Sequence, residues 1–290
     1  MLKVTFLLAI LTSILILTGY AIGSYFGNPI GAIEISLFMA GLMNFLTYFY
    51  SDRIVLMMTG AKLVSPKEHP KLHRIVERVA NLANIPKPKV AIIDSTAPNA
   101  FATGRGPGKS VVAVTKGLLT LLDEDEVEAV IGHEVAHIKN RDVLISTIAA
   151  TIAGAISYLA YVGRWGLYLG AGEDRRRSES AIALILAAIL APIAALIVQF
   201  AISRGREYLA DELGAKITRK PLDLASALIK ISQAKRVGLT VKSNPAISHL
   251  WIINPLKRGT IEELFSTHPP VEKRVERLRR IAREMGIYVM

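Results

Sequence analysis

The 290-residue sequence contains no cysteine. Disulfides and thiolate metal sites are excluded, so any zinc must be held by nitrogen and oxygen. The absence fits a reducing compartment. No G-x-S-x-G elbow occurs, which removes the usual serine-nucleophile signature. No nucleic-acid-binding motif is present either. Charge is missing from three long stretches, residues 4–33, 143–163 and 180–203. Each is long enough to cross a bilayer, which takes about 20 apolar residues.

The length suits one or two domains. The hydrophobic fraction is 51% without counting glycine, whereas soluble domains reach about 45–50% with glycine included. Part of the chain therefore sits in lipid. Lys plus Arg outnumber Asp plus Glu by 35 to 24, giving a net charge of +11. With much of that excess beside apolar segments, an anionic lipid surface is the expected partner rather than nucleic acid.

Residues 1–50 predict a transmembrane hairpin. A first helix ends near residue 23, Asn28-Pro29 turns, and a second helix runs over 30–50 to Asp52 and Arg53. A cleaved signal peptide with Lys3 as its basic end competes, but two apolar stretches joined by a charge-free turn favour the hairpin. Residues 51–142 are polar with globular patterning. Leu72, Val76, Val79 and Leu82 or Ala83 make a helical stripe. Runs at 90–93, 100–102 and 111–114 predict strands, the last two joined by a glycine-rich turn as a hairpin. Asp123 and Glu126 form a capping-box-like start for the next helix. Residues 143–203 predict a second hydrophobic hairpin, and 204–290 a polar C-terminal block. The final helix carries Val271, Val275, Leu278, Ala282 and Met285 on one face and Lys and Arg on the other. The turn after the first span has no Lys or Arg while 51–142 is rich in them, so that block should face the cytoplasm. Four full spans would leave the loop 164–179 outside, where Arg175, Arg176 and Arg177 violate the same rule. The second pair could instead be re-entrant or packed within the protein.

His133-Glu134-Val135-Ala136-His137 is an H-E-x-x-H motif. On a helix, residues four apart share a face, so two imidazoles can share a tetrahedral metal while the glutamate takes a proton from a water beside it. Alone, the motif also describes an ordinary buried helix with two satisfied histidines. A third ligand six residues on is excluded, because position 143 is Val. Glu207 could supply it, with Asp211 one turn further able to accept the second ring N–H of a ligating histidine. By themselves these two acids would be taken for a solvated helix start. His69 and His73 are also four apart, but Pro70 lies between them, and they are expected at the surface. His249 has no partner in sequence and is expected to be structural.

Three segments now carry a resemblance: His133 through Asp142; Ser203 through Glu212; and Phe265-Ser266-Thr267-His268-Pro269-Pro270 with Arg274. In that order, with Asn99-Ala100-Phe101-Ala102-Thr103-Gly104 before them, the chain resembles the HtpX-type membrane metalloproteases, which are related to the CAAX prenyl proteases. The resemblance runs over about residues 65–280. It implies an α+β, mainly helical fold: a zincin-like metallopeptidase domain with a small β-sheet, split between 51–142 and 204–290, plus transmembrane helices, four by the apolar runs. It implies one zinc ion per chain on His133, His137 and Glu207, with Glu134 as general base and Asp211 supporting a ligand. His268 and Arg274 would face the substrate, where a cation could stabilise an oxyanion, and Asn99 to Ala102 could pair with an extended substrate. The implied activity is endoproteolysis of unfolded or damaged membrane proteins by a multi-pass protein of the cell (inner) membrane, with its catalytic domain in the cytoplasm. A CAAX-type protease, a zinc-binding scaffold without turnover and a transporter using the histidine pair remain the competing readings.

Overall fold

The computed structural model describes residues 2–25, 27–169, 197, 203–241, 243, 245–256 and 269–288. Arg175–Arg177 and His268 lie outside them. We number the helices α1 (Leu2–Tyr25), α2 (Pro29–Thr59), α3 (Pro70–Leu82), α4 (Lys116–Leu121), α5 (Glu124–Lys139), α6 (Asp142–Leu169), α7 (Arg204–Thr218), α8 (Pro221–Arg236) and α9 (Val271–Glu284), with a 3₁₀ helix at Pro245–Leu250. The strands are β1 (Lys62–Leu63), β2 (Lys89–Ile93), β3 (Ala100–Gly104) and β4 (Ser110–Thr115). The chain is mainly helical with one small sheet.

Helices α1 and α2 form the expected hairpin. The Asn28 side chain accepts the Gly31 N–H and Pro29 occupies the first turn, so the second helix starts where the sequence turns. Asn44 donates to Thr12 Oγ1 at 2.8 Å across the pair, the kind of polar tie that joins helices in lipid. Large apolar side chains stand exposed along α2, among them Ile35, Phe38, Leu42, Phe45 and Phe49. Such a continuous apolar surface needs a lipid covering. The 31 residues of α2 extend about 46 Å, well beyond the ~30 Å hydrocarbon layer. The excess enters the polar half of the protein. Val55 and Leu56 are buried there with Ala91, Phe101 and Trp251, so the helix passes unbroken through position 50.

Two helices among the described residues, α1 and α2, are long and apolar enough to cross a membrane; the fourth apolar run, over 180–203, lies outside the described residues except at 197 and 203. Residues Ile148, Ile152 and Ile156 of α6 are buried against Val4, Leu7 and Leu11 of α1.

The sheet order is β1-β2-β4-β3, with β2 and β4 parallel and the other pairs antiparallel. The expected β3–β4 hairpin forms, pairing Phe101 with Ala113. Against this sheet lies α5, packed also by α3, α7 and α8. Its start is the full capping box: Asp123 accepts the Glu126 N–H at 2.9 Å and Glu126 accepts the Asp123 N–H at 3.0 Å. Stripe residues Leu72, Val76, Val79 and Ala83 of α3 are buried in the same core, while Leu82 is exposed. His73 is buried as well, with its Nε2 bonded to Val64 O at 3.0 Å. This corrects the expectation that it lies at the surface: position 73 falls on the apolar face of the stripe.

Helices α5 and α7 meet backbone to backbone at Gly132 and Gly214. A Cβ on Gly214 would come within 2.7 Å of the His133 nitrogen and 2.8 Å of the Gly132 carbonyl carbon. Ordinarily Gly→Ala in a helix gains about 1 kcal/mol. Here the obstacle is backbone, which cannot swing aside. Gly214→Ala is therefore expected to destabilise the fold by about 1–3 kcal/mol. Denaturant unfolding of the purified protein measures it, and a neutral or stabilising result would contradict the contact.

Candidate metal centre

Two turns of α7 and two of α5 bring the candidate residues together. Glu207, Asp211 and Gly214 are spaced i, i+4, i+7, one helix face. The tight crossing at Gly214 thus presses Glu207 and Asp211 onto α5 at His133 and His137. Both imidazoles turn Nε2 inward. The two Nε2 atoms are 3.2 Å apart, and Glu207 oxygens lie 3.5 Å from His137 Nε2 and 3.9 Å from His133 Nε2. The donor atoms of His133, His137 and Glu207 all fall within 4.8 Å of one another, an arrangement able to hold a metal ion. Glu134 is buried beside them. The exposed-helix-start alternative for Glu207 and Asp211 does not hold, since both are buried.

The outward Nδ1 atoms meet carboxylates. His133 Nδ1 lies 2.9 Å from Asp211. Burial holds the His133 ring neutral, lowering its pKa to about 4 against the opposing pull of Asp211. The Nδ1 proton therefore goes to Asp211 and leaves the Nε2 lone pair facing inward. Arg274 grips Asp211 with Nε at 2.8 Å and Nη2 at 2.6 Å, and its Nη1 donates to Ile252 O at 2.8 Å. This guanidinium holds the Asp211 carboxyl below the usual range in spite of burial. Arg274 is 1% exposed and stands behind His133, outside the cleft lining. The substrate-facing position implied by the resemblance is thereby corrected: the side chain comes off the buried face of α9 and reaches inward.

Burial pushes the Glu134 carboxyl up to about 7, with the Glu207 charge adding to it and the His137 and Arg274 cations opposing, as does a hydrogen bond from the Ala102 N–H. For His137, burial opposes protonation, but Asp142, Glu207 and Glu134 outweigh it and raise the ring to about 9.

The stretch Asn99 to Ala102 is only partly open. Asn99 ties β3 to the segment after the 3₁₀ helix, its Nδ2 donating to Ile253 O at 2.8 Å and its Oδ1 accepting the Ile253 N–H at 3.3 Å. Ala100 O accepts the Ile252 N–H at 2.9 Å, and Phe101 is buried edge-on against Trp251. Of the four, Ala102 alone lines the cleft. The expected open edge is therefore shortened, because the chain itself occupies its first part.

Sequence reasoning passed over several cleft residues. His249 lines it, with Nε2 bonded to Ser146 O at 3.1 Å. Trp251 and Ile252 form a wall, and Asp142 and Arg206 stand at the edge. The sequence signals for Asp142 and Arg206 are their places in the motif-bearing segments, five residues after His137 and one before Glu207; His249, Trp251 and Ile252 come from a part of the chain with no such motif.

Comparison with known proteins agrees with this geometry. Residues 66–282 match the model of Peptidase family M48. The chain is 57% identical over 281 residues to a protein named Protease HtpX homolog from Pyrococcus abyssi, covering 97% of this chain and 96% of that one. It is 54% identical to the namesake from Thermococcus kodakarensis over 283 residues, at 97% and 96% coverage. For that from Aquifex aeolicus the identity is 52% over 272 residues, at 92% and 89%. Among solved structures, S. mikatae Ste24p matches with a TM-score of 0.47 and 17% identity, over 96% of this chain and 65% of that one, and nothing below rests on that likeness. With the family model covering most of the chain and near-full-length relatives above half identity, the chain belongs to Peptidase family M48.

Proposed function

We propose that this membrane-associated metallopeptidase is a zinc endopeptidase, with His133, His137 and Glu207 as ligands and Glu134 as general base. The observation that carries the reading is the convergence of two Nε2 atoms and one carboxylate beside a second, buried carboxylate. Zinc bonds of about 2.0–2.1 Å at tetrahedral angles set neighbouring donors about 3.3–3.4 Å apart. The observed 3.2, 3.5 and 3.9 Å separations match that to within a small adjustment of Glu207. A set of two imidazoles and one carboxylate, with no thiolate, also suits zinc. Three protein ligands leave a fourth position open, as catalytic sites require.

A zinc ion held there supplies Lewis acidity, lowering the pKa of a water to about 7 and polarising the scissile carbonyl. Glu134 takes the proton of the attacking water and delivers it to the leaving amine. The Ala102 backbone beside its carboxylate favours the charged form that accepts a proton. Asp211, clamped by Arg274, holds His133 in the tautomer that presents Nε2. Ala102 O is where an extended peptide would first meet β3, since Ala100 O is taken by Ile252. His268 remains a candidate substrate-facing residue by the resemblance alone.

The substrates we propose are unfolded or damaged membrane-protein segments, cut on the cytoplasmic side of the cell membrane. Support comes from the path between the site and the lipid-facing helices. Asp142 borders the cleft, and Ile148 already packs on α1, six residues or about 9 Å along a helix. Arg53 lies over the Tyr50 ring at 5.5 Å and Arg105 over Phe49 at 5.4 Å. An aromatic–arginine belt of this kind suits a lipid–water interface.

Glu134→Gln is expected to keep zinc at one per chain and to lose about 10²–10⁴-fold in turnover, measured on a casein-like substrate in detergent. Zinc-loaded wild type without chelator-sensitive turnover would overturn the enzyme reading. Glu207→Ala is expected to lose stoichiometric zinc binding under conditions where Glu134→Gln retains it, read by metal analysis after gel filtration. One peptide presented in two forms tests the location: a membrane-tethered version in proteoliposomes should be cut faster than the free version, and equal rates would count against it.

A further inference from the structure

We propose that Asp142, braced by Arg206, is the positioning residue for His137, so that each histidine of the site has its own carboxylate–arginine support. The proposal rests on the metal-site reading above.

The two rings are treated alike by the fold. His133 turns Nδ1 to Asp211 at 2.9 Å, and His137 turns Nδ1 to Asp142 Oδ2 at 3.5 Å. Behind Asp211 stands Arg274 at 2.6 Å, and behind Asp142 stands Arg206, with 3.7 Å between Arg206 Nη1 and Asp142 Oδ1. Asp142 Oδ2 is buried and, among the described residues, has no hydrogen-bond partner within normal length. It is an acceptor aimed at one ring nitrogen. Engaging Nε2 with a cation makes the Nδ1–H a stronger donor, so the contact should close toward the ~2.7–2.9 Å of a charge-assisted bond.

Backbone geometry supplies the second argument. Asp142 follows His137 by five residues, and five steps of an unbroken helix turn through about 500°, which would leave it some 140° around the axis from the ring. The chain avoids this. Helix α5 ends at Lys139, Asn140 caps it, Arg141 adopts φ 60°, and α6 restarts at Asp142. A left-handed conformation costs a non-glycine residue about 1–2 kcal/mol. This break turns Asp142 back beneath His137, and no glycine or proline marks it.

The two supports are unequal. Asp211 and Arg274 side chains are 0% and 1% exposed, whereas Asp142 and Arg206 are 14% and 18% exposed and border the cleft. The inner histidine is locked, and the outer one is held by groups that solvent reaches. His137 is accordingly the ligand that lets go first, and Asp142 governs how fast.

The test uses the full chain in detergent. Zinc affinity is read by chelator competition, zinc loss by chelator-induced release, and ligand geometry by the visible spectrum of the cobalt(II)-substituted protein. Asp142→Ala is expected to weaken zinc about 10–100-fold, mainly through faster release, to shift the cobalt bands, and to lower kcat more than it raises KM. Arg206→Gln, which removes a partly exposed ion pair, is expected to weaken zinc about two- to fivefold. Asp142 also opens α6, where a carboxylate favours the helix dipole. Asp142→Asn keeps an acceptor oxygen and can still cap a helix, so it carries the test if the alanine variant does not fold, and its zinc release should fall between wild type and alanine. Asp142 variants with lowered thermal stability but wild-type zinc release and cobalt spectrum would overturn the proposal and leave Asp142 as a helix-start residue. Wild type that binds no zinc would overturn the metal-site reading, and this proposal with it.

Discussion

Backbone contact between α5 and α7 governs the rest of the site. Glycines at 132 and 214 let the two helices meet with no side chain between them. Because one face of α7 carries Gly214, Asp211 and Glu207 in register, closeness at one turn is transmitted to the next two. Asp211 reaches the outer nitrogen of His133, and Glu207 reaches the inner nitrogens of both rings. A wider crossing would leave two histidines on α5 and two acids on α7 without a common centre. The capping box of α5 and the sheet beneath it fix the other half of the geometry.

The centre concentrates negative charge in a place that water barely reaches. Glu134, Glu207 and Asp211 are all buried, and Arg274 is the buried cation among the described residues that faces them. Its guanidinium is committed to Asp211 and Ile252 O, which leaves Glu134 and Glu207 repelling each other. Burying like charges together costs several kcal/mol unless a proton or cation intervenes. Burial, with the Glu207 charge added, pushes Glu134 up to about 7, and Asp142, Glu207 and Glu134 outweigh burial to raise His137 to about 9. A divalent cation between the Nε2 atoms and Glu207 relieves the same repulsion without protonating a ligand. The electrostatics and the donor geometry therefore ask for the same occupant.

What could be read in the sequence follows the range of the forces involved. The H-E-x-x-H spacing, the capping box, the β3–β4 hairpin and the α3 stripe are local patterns, and all four stand in the structure as read. The N-terminal hairpin of two apolar helices was legible for the same reason, down to its Asn28-Pro29 turn. Glu207 and Asp211 carried no local signal beyond an acidic helix start, and only the resemblance set them at the site. Arg274 was singled out by the resemblance as substrate-facing; in sequence it is one more member of the basic face of α9, and nothing local reports that it reaches inward to Asp211. His73 was set with His69 at the surface on the ground that Pro70 lies between them, whereas Pro70 is the first-turn proline of α3 and His73 falls on the buried face of that helix. The docking of Ile252 and Ile253 on β3 joins positions about 150 residues apart, and no periodicity reports such a contact.

The break between α5 and α6 was also hard to read, since no glycine or proline marks it and Asn140 alone is a weak helix-end signal. A continuous helix from His137 into the apolar run would have made the metal site an extension of a membrane rod. The left-handed turn at Arg141 separates them instead. Helix α5 belongs to the peptidase core, and α6 packs on α1. Asp142 is the first residue of the membrane-side helix and contacts a histidine of the core. The candidate metal site and the apolar helices are thus joined at this break by a short left-handed turn and one carboxylate, and further along α6 by Thr147 on Thr103 and Gly104 and by the Ser146 carbonyl on His249.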